Sequence, residues 1–494
     1  MKKSKFSVTQ INAASSLLLQ FVTIISGFII PKIILKYFGS EVNGLISSLN
    51  QFLNYIEILE GGLTGVVMAS LYKPLVDKDF DKVSSIVKST QKFYMRLSLI
   101  FIIYTLVLSI LYPLLTSSNF SFGYVASLTW ILSITLFIQY SFSLSFRLLL
   151  QADKKVYVVS FVQIIFIIIN ILIFKFLTIF ITNIHLLKLC SAIGYLVQPI
   201  IYYFYITKNY KLNKNAELDY NFLKSRWDGF AINIAAFVHY NTDIAILTMF
   251  TNLSTVSVYS VYSLVTVGLR KIVTSISSGI APSMGHLYAT KNVKKLNQKF
   301  DSYETFIFSI TFFLFTVGGL LITPFIEIYT SGIKDVNYIQ PLFGVLIIIS
   351  EMIFCLREPY ITMAYSANKF KDLKLIAYIE AVLNIVISLI LVSKYGLVGV
   401  TIGTIIAMMV RTIYHVIYLK SHILKRSLSY FIKKIIVFSV FAILSIMFCK
   451  FIYPFDNINV LNWIVHAIVY SVTVLLFILG ANVLLRKNTK YELE

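Results

Sequence analysis

Apolar runs of about 20 residues recur along this chain from Gln10 to Leu485, and no polar stretch between them is long enough to form an extramembrane domain. A run of that length is what an α-helix needs to cross a hydrocarbon core. The runs are continuous, whereas the strands of a membrane barrel would alternate over about ten residues, so helices follow. The reading is an all-α integral membrane protein. Composition agrees: 58% of the 494 residues are hydrophobic and 13% are charged, against about 25% charged in a soluble domain. With a mean hydropathy of +0.81, disorder, collagen and a nucleic-acid-binding tail protein are excluded.

The length rule gives about fourteen transmembrane helices, near 10–36, 43–71, 93–115, 124–148, 156–178, 186–206, 230–250, 255–285, 301–323, 339–365, 373–393, 397–418, 434–453 and 461–485. The basic start is followed by an apolar stretch carrying Asn12, Gln20 and Thr23 with no small-residue cleavage site, which reads as an uncleaved first span. With both termini in the cytoplasm, the even-to-odd connections and tails hold about 32 of the 43 Lys and Arg, and the opposite side about seven. The net charge of +21 is therefore a topology signal, with some attraction to anionic membrane lipids, and no nucleic-acid partner is implied.

Three weak internal matches share one offset. Leu71-Tyr72 and Gln91-Lys92-Phe93 correspond to Leu287-Tyr288 and Gln298-Lys299-Phe300, and Gln151-Ala152-Asp153-Lys154 corresponds to Ser366-Ala367-Asn368-Lys369, about 207 to 216 residues on. Together they divide the chain into an N-terminal lobe of six helices (1–207), a C-terminal lobe of six (208–420), and two further helices with a cytoplasmic tail (421–494). Six is even, so the lobes share orientation and are related by a pseudo-twofold along the membrane normal.

Polar groups at membrane depth are costly and gather on cavities or partner helices. Asn43, Ser47, Asn50, Asn54, Glu57, Gly61 and Thr64 step by three or four along the second helix, as do Ser263, Thr266, Arg270, Thr274 and Ser277 along the eighth. That period puts each set on one face. Asn12, Ser16, Gln20, Thr23 and Gly27 make a thinner stripe on the first helix, and Asn233, Tyr240 and Asp243 lie on the seventh. Short hydroxyl and glycine members also serve as interhelical glue, whereas the long stripes point to a water-filled cavity. Arg270, Arg357 and Arg411 fall in the cytoplasmic halves of their helices. Converging, they would suit a diphosphate, because the planar guanidinium fork matches phosphate oxygens; snorkelling, or pairing of Arg357 with Glu380 or Glu351, is the alternative. Glu57 and Asp243 are candidates to carry a proton or bind a cation, or else to neutralise an arginine. Gly61 to Gly65 and Gly399 to Gly403 are candidates for helix packing or hinging.

No phosphate-binding G-x-x-x-x-G-K-[ST], no H-E-x-x-H and no external carboxylate constellation occurs, and Cys190, Cys355 and Cys449 form no disulfide or metal pattern. An enzyme is not indicated, and neither cofactor nor catalytic metal is implied. Asn119-Phe-Ser121 and Asn252-Leu-Ser254 match the glycosylation pattern at a length that chance supplies.

The stretch Ile11 to Pro74 with Phe38-Gly39, Gly44-Leu45 and Gly61-Gly62-Leu63 resembles bacterial oligosaccharide flippases of the polysaccharide transport family. So do the Gln151-Ala152-Asp153-Lys154 loop, Asn241-Thr242-Asp243, and Ser278-Gly279-Ile280-Ala281-Pro282-Ser283-Met284-Gly285. That family belongs to the multidrug/oligosaccharidyl-lipid/polysaccharide exporter superfamily, which also holds the multidrug and toxin extruders. The resemblance spans essentially the whole chain. It implies two six-helix lobes around a central cavity, and alternating access that moves an undecaprenyl-diphosphate-linked oligosaccharide repeat unit from inner to outer leaflet for capsular or exopolysaccharide assembly. It also implies a proton or sodium ion as coupling partner, a polysaccharide polymerase as a further partner, and the bacterial plasma membrane as location. Arg270 fits the cationic cavity of such relatives; the first helix departs from it, offering Gln20 and Thr23 and no arginine. Asn50, Asn54 and Tyr240 complete the candidate substrate set with Arg270, Arg357 and Arg411, and Glu57 with Asp243 the coupling set. The rival readings are a drug or toxin antiporter of the same fold, which would favour a lumen of acids and aromatics, and a membrane-embedded polymerase, which would favour a sizeable external loop that this chain lacks.

Overall fold

The computed structural model describes residues 8–116, 119–180, 182–213, 215–222, 241–367, 369–455 and 457–490, and among them every regular element is helical. Ten helices are long and apolar enough to cross a membrane, making this a multi-pass membrane protein. Two of those spans, Gln10–Glu60 and Lys374–Leu424, run to 51 residues each. That is far beyond one crossing, and each is bent at a glycine. Gly39 (φ 82°, ψ 175°) interrupts the Val8–Leu53 helix, and Gly396 (φ 51°, ψ −124°) interrupts Lys374–Leu419. Side chains other than glycine rarely tolerate such angles. The count of fourteen remains an expectation, because the start of the seventh helix lies at 223–240, outside the described residues, together with Asn233 and Tyr240; Asn368 of the repeated tetrapeptide lies outside them too.

The helix expected over 43–71 differs from what forms. After Leu53 the chain tightens through Asn54–Ile56 and Glu57–Glu60, turns at the left-handed pair Gly61 and Gly62 (φ 56° and 82°), and restarts as Leu63–Asp77. Gly61 is thus a break in the helix. Gly65 packs nothing, since a Cβ there meets no atom within 4 Å.

The chain clusters into two compact units: Met1–Phe237 with Asn252–Ser257, and Val238–Thr251 with Val258–Glu494. In the first unit, Val8–Leu53 packs along Val156–Phe180, and Phe80–Leu115 along Phe122–Ile138. Asn12 pins the end of the Gln151 to Lys154 turn and the helix start after it, donating to the Lys154 carbonyl (2.8 Å) and accepting from the Tyr157 amide (3.0 Å). In the second unit, Val293–Tyr329 packs against Pro341–Ser366, Ser429–Ile452 and Val460–Lys490.

Local geometry repeats where the sequence repeats. Lys78 and Lys291 are both left-handed (φ 56°), and the next residue of each, Asp79 or Asn292, caps the following helix by accepting from the amide of Lys82 or Lys295, about 213 residues apart. The turn bonds from Asp153 to Leu149 and from Lys155 to Leu150 recur from Ala367 to Met363 and from Lys369 to Ala364.

Association of helices in lipid relies on packing and internal polar bonds, since the surrounding tails are as apolar as leucine. The fully buried Glu304 illustrates it: Arg426 Nη2 and Lys434 Nζ each lie 2.7 Å from its carboxylate, Tyr360 donates its hydroxyl to it, and both cations also reach Asp301. This network ties Ser429–Ile452 to the start of Val293–Tyr329. Removing one partner of a buried pair costs about 3–5 kcal/mol because the other charge is stranded. Glu304→Leu is therefore expected to lower the thermal midpoint of the purified protein markedly, and Glu304→Leu/Lys434→Met to lower it less; thermal unfolding in detergent checks the order.

Candidate functional site

The bend at Gly396 folds Lys374–Leu419 back so that Asn384 and Ser388 on one side of it meet Val400 and Thr404 on the other. The approach is close. A Cβ on Gly403 would sit 2.4 Å from Ser388 Oγ, and one on Gly399 2.4 Å from the Leu391 carbonyl oxygen. Ser388 Oγ lies 3.2 Å from Asn384 Oδ1 and 3.3 Å from the Val400 carbonyl oxygen, and Asn384 Nδ2 lies 3.3 Å from Thr404 Oγ1.

Against this pair of half-helices stands Asp243, in the helix that covers 241–250. It is 8% exposed, and its carboxylate accepts from Thr404 Oγ1 at 3.0–3.1 Å and from Tyr259 Oη at 2.9 Å. Among the described residues no Lys or Arg forms an ion pair with it. The result is a buried carboxylate met by two hydroxyls, with Asn384, Ser388 and the Val400 carbonyl bonded in turn to Thr404 or to one another. Hard oxygen donors around a single charge suit a proton or a small hard cation, and an irregular backbone next to a bent helix is where membrane proteins place such ions. No group of three or more His, Cys, Asp or Glu that could hold a metal occurs among the described residues.

One helix links this ring to the arginines. Tyr259 and Arg270 both lie on Leu253–Ala289, and Arg270 Nη1 reaches both carboxylate oxygens of Glu351, at 2.8 and 3.0 Å, with its guanidinium 5.4 Å from the Phe354 ring. Arg357 and Arg411 come together on one carboxylate, Glu380, with Arg357 Nη1 2.7 Å from Oε1 and Arg411 on Oε2. Arg357 is 1% exposed and Glu380 0%, so this trio is enclosed. His415 Nδ1 bonds the Arg411 carbonyl oxygen (2.8 Å), while its Nε2 is buried without a hydrogen-bond partner. Arg270, the most accessible of the three arginines, does not join the Glu380 trio.

The polar stripes divide. Ser277 bonds Tyr303 (2.5 Å) and Thr362 (2.9 Å), and Asn43 donates to Ser257 (2.8 Å), so these members are glue. Asn50 and Glu57 are exposed and Asn54 half-exposed, on a segment whose hydropathy fits the membrane. An exposed carboxylate at that depth faces water more readily than lipid. Glu57 and Asp243 lie in different units. Glu60, one turn on from Glu57, is engaged by Thr64 (2.6 Å) and Tyr94 (3.0 Å). Sequence reading missed Asn384, Ser388 and Thr404; the signal lay in the i, i+4 pair Asn384 and Ser388 followed by Gly396, Gly399 and Gly403.

No protein-family model and no curated protein matches the chain in sequence. Solved structures match it in fold. The chain is similar to the lipid II flippase MurJ in an inward closed conformation, with a TM-score of 0.73 and 17% identity over 97% of this chain and 99% of that one. It is also similar to an inward-facing multidrug resistance MATE family transporter of the MOP superfamily (TM-score 0.64, 13% identity, 82% of this chain and 95% of that one). The MATE multidrug transporter DinF-BH, solved as a complex, gives a TM-score of 0.62 and 16% identity over 85% of this chain and 98% of that one. The fold is thus the one these flippases and transporters share.

Gly403→Ala is expected to cost about 1–3 kcal/mol of stability because its methyl meets Ser388 backbone and side chain inside the ring. Gly65→Ala, in open space within a helix, is expected to be neutral or slightly stabilising. Thermal unfolding of the two variants side by side checks this; equal losses would contradict the packing described for the ring.

Proposed function

We propose that this chain is a flippase that moves an undecaprenyl-diphosphate-linked oligosaccharide repeat unit from the inner to the outer leaflet of a bacterial plasma membrane, with both termini cytoplasmic, by alternating access coupled to a proton or sodium gradient. In this reading the product feeds capsular or exopolysaccharide assembly, and a polysaccharide polymerase acts next. The observation that carries it is the match of essentially the whole chain to the fold of a lipid II flippase, 97% against 82–86% for the MATE transporters named above and their kin. The arginines add to it. An organic-cation exporter would be poorly served by them, whereas an anionic diphosphate gains charge-assisted hydrogen bonds from a guanidinium.

In this reading Arg270 receives the diphosphate by exchanging its bond to Glu351, while Arg357 and Arg411, held by Glu380, supply a positive field behind it. Asn50 and Asn54 meet the sugar, as would Tyr240. The coupling ion neutralises Asp243. Because Tyr259, which bonds Asp243, shares the Leu253–Ala289 helix with Arg270, an ion bound at Asp243 acts on the element that carries Arg270, and so biases the states that bind and release the headgroup. A ligand that binds all states equally would shift nothing; this arrangement gives the ion a preference. Glu57 is the second candidate for a coupling proton.

Proteoliposomes carrying a fluorescent polyprenyl-diphosphate oligosaccharide test the reading. Wild type is expected to expose the label to an added outer-leaflet hydrolase under an ion gradient, Arg270→Ala to slow exposure at least about tenfold, and Asp243→Asn to make the rate independent of the gradient. Absence of exposure under proton and sodium gradients of either sign, with export of a cationic dye from the same vesicles, would establish the antiporter reading in its place.

A further inference from the structure

A large cavity lies within the first unit. Its volume is about 1150 Å³, above the usual 300–1,000 Å³ of a small-molecule pocket. It opens between Phe80–Leu115, the π-turn at Gln139–Ser143 with the helix after it, and Val197–Asn209. One wall is apolar and stays exposed: Phe142, Leu196, Ile200 and Phe204. The mouth is basic, formed by Lys88 and Lys211.

The chain after Val197–Asn209 makes the floor of that mouth. Asn213 donates its amide to Ser84 Oγ (2.8 Å), Ser85 donates to the Glu217 carbonyl (2.6 Å), and the Asp219 amide donates to Ser89 (2.9 Å). Lys88 and Lys211 line the same cavity. Lys88 spends one donor on the Ala216 carbonyl (2.9 Å), and Lys211 has no ion pair or hydrogen bond among the described residues. Among the described residues no Asp or Glu lines the cavity; Asp81, which accepts from Asn213 (3.2 Å), Asp153, which pairs with Lys155 (2.8 Å), and the acids Glu217 and Asp219 lie outside its lining. The lining therefore carries two cations and no acid, on the side that the Lys and Arg distribution assigns to the cytoplasm, while the trench behind it is apolar.

We infer that this cavity is a binding site for one anionic glycerophospholipid of the inner leaflet, its phosphate at Lys88 and Lys211 and an acyl chain against Ile200 and Phe204. Charge at the mouth and hydrocarbon in the trench must be satisfied by one molecule, and an anionic lipid carries both. Occupancy would brace the segment at 215–222 against Phe80–Leu115.

Native mass spectrometry of the full chain, released from micelles containing equal phosphatidylglycerol and phosphatidylcholine, tests this. One tightly retained phosphatidylglycerol is expected, and Lys88→Gln/Lys211→Gln is expected to weaken its retention about tenfold or more. Ile200→Trp, which fills the trench and leaves every charge in place, is expected to expel it too, which covers the case in which the lysine variant folds poorly. Lys369→Gln/Lys420→Gln, basic positions elsewhere, is expected to change nothing. Equal retention of both lipids, equal loss in the control variant, displacement by soluble glycerol phosphate alone, or a dimer that Ile200→Trp dissolves would each overturn the proposal.

Discussion

A charge placed in a membrane must find its partner inside the protein, and this requirement organises the second unit. Water cannot reach most of these groups, and a central charge costs about 2.5–3.5 kcal/mol on insertion scales before it is partnered. Glu304 is met by Arg426, Lys434 and a tyrosine hydroxyl; Glu380 is met by Arg357 and Arg411; Glu351 is met by Arg270. Glu304 and Glu351 join helices distant in sequence and Glu380 joins consecutive ones, so the cost of burial is turned into connectivity. Asp243 stands apart. It is buried with them, yet its partners among the described residues are neutral hydroxyls. A carboxyl with only dipoles around it is where a mobile positive charge has most to gain.

The backbone makes that site possible. Gly396 takes angles open to glycine, the chain doubles back, and Gly399 and Gly403 let the two half-helices approach until Ser388 touches the far side. The polar atoms of Asn384, Ser388, Val400 and Thr404 converge because of this closeness, and the helix carrying Asp243 needs only to lie against them. The first unit uses the same device for another purpose. Gly61 and Gly62 end one helix and begin the next directly after Glu57 and Glu60, leaving Glu57 exposed and Glu60 bonded to Tyr94.

Much of the architecture was legible because membranes impose a length rule. Apolar runs marked the spans, and the Leu-Tyr and Gln-Lys-Phe repeats marked places where the local geometry does recur, at Lys78 and Lys291. The break at Gly61 was harder to read, since a glycine pair inside an apolar run also fits close helix packing. Arg357 shows the limit for sites. Its position in a span signalled function or pairing alike, and only the fold brings Glu380 to 2.7 Å and Arg411 onto the same carboxylate. Thr404 and Ser388 carried no charge to draw attention, and their role comes from a bend whose partner, Asp243, lies 161 residues before Thr404.

The central claim is that the ring around Asp243 binds the coupling ion. Equilibrium binding of radiolabelled sodium to the purified protein, measured from mildly acidic to mildly alkaline pH on wild type, Asp243→Asn and Thr404→Val, tests it most directly. The account predicts saturable uptake of one ion per chain, competed by protons, abolished by Asp243→Asn and weakened by Thr404→Val with the fold intact. If wild type and Asp243→Asn took up the same amount of sodium, and released the same number of protons on titration, the ring would be a structural contact and the account would be wrong.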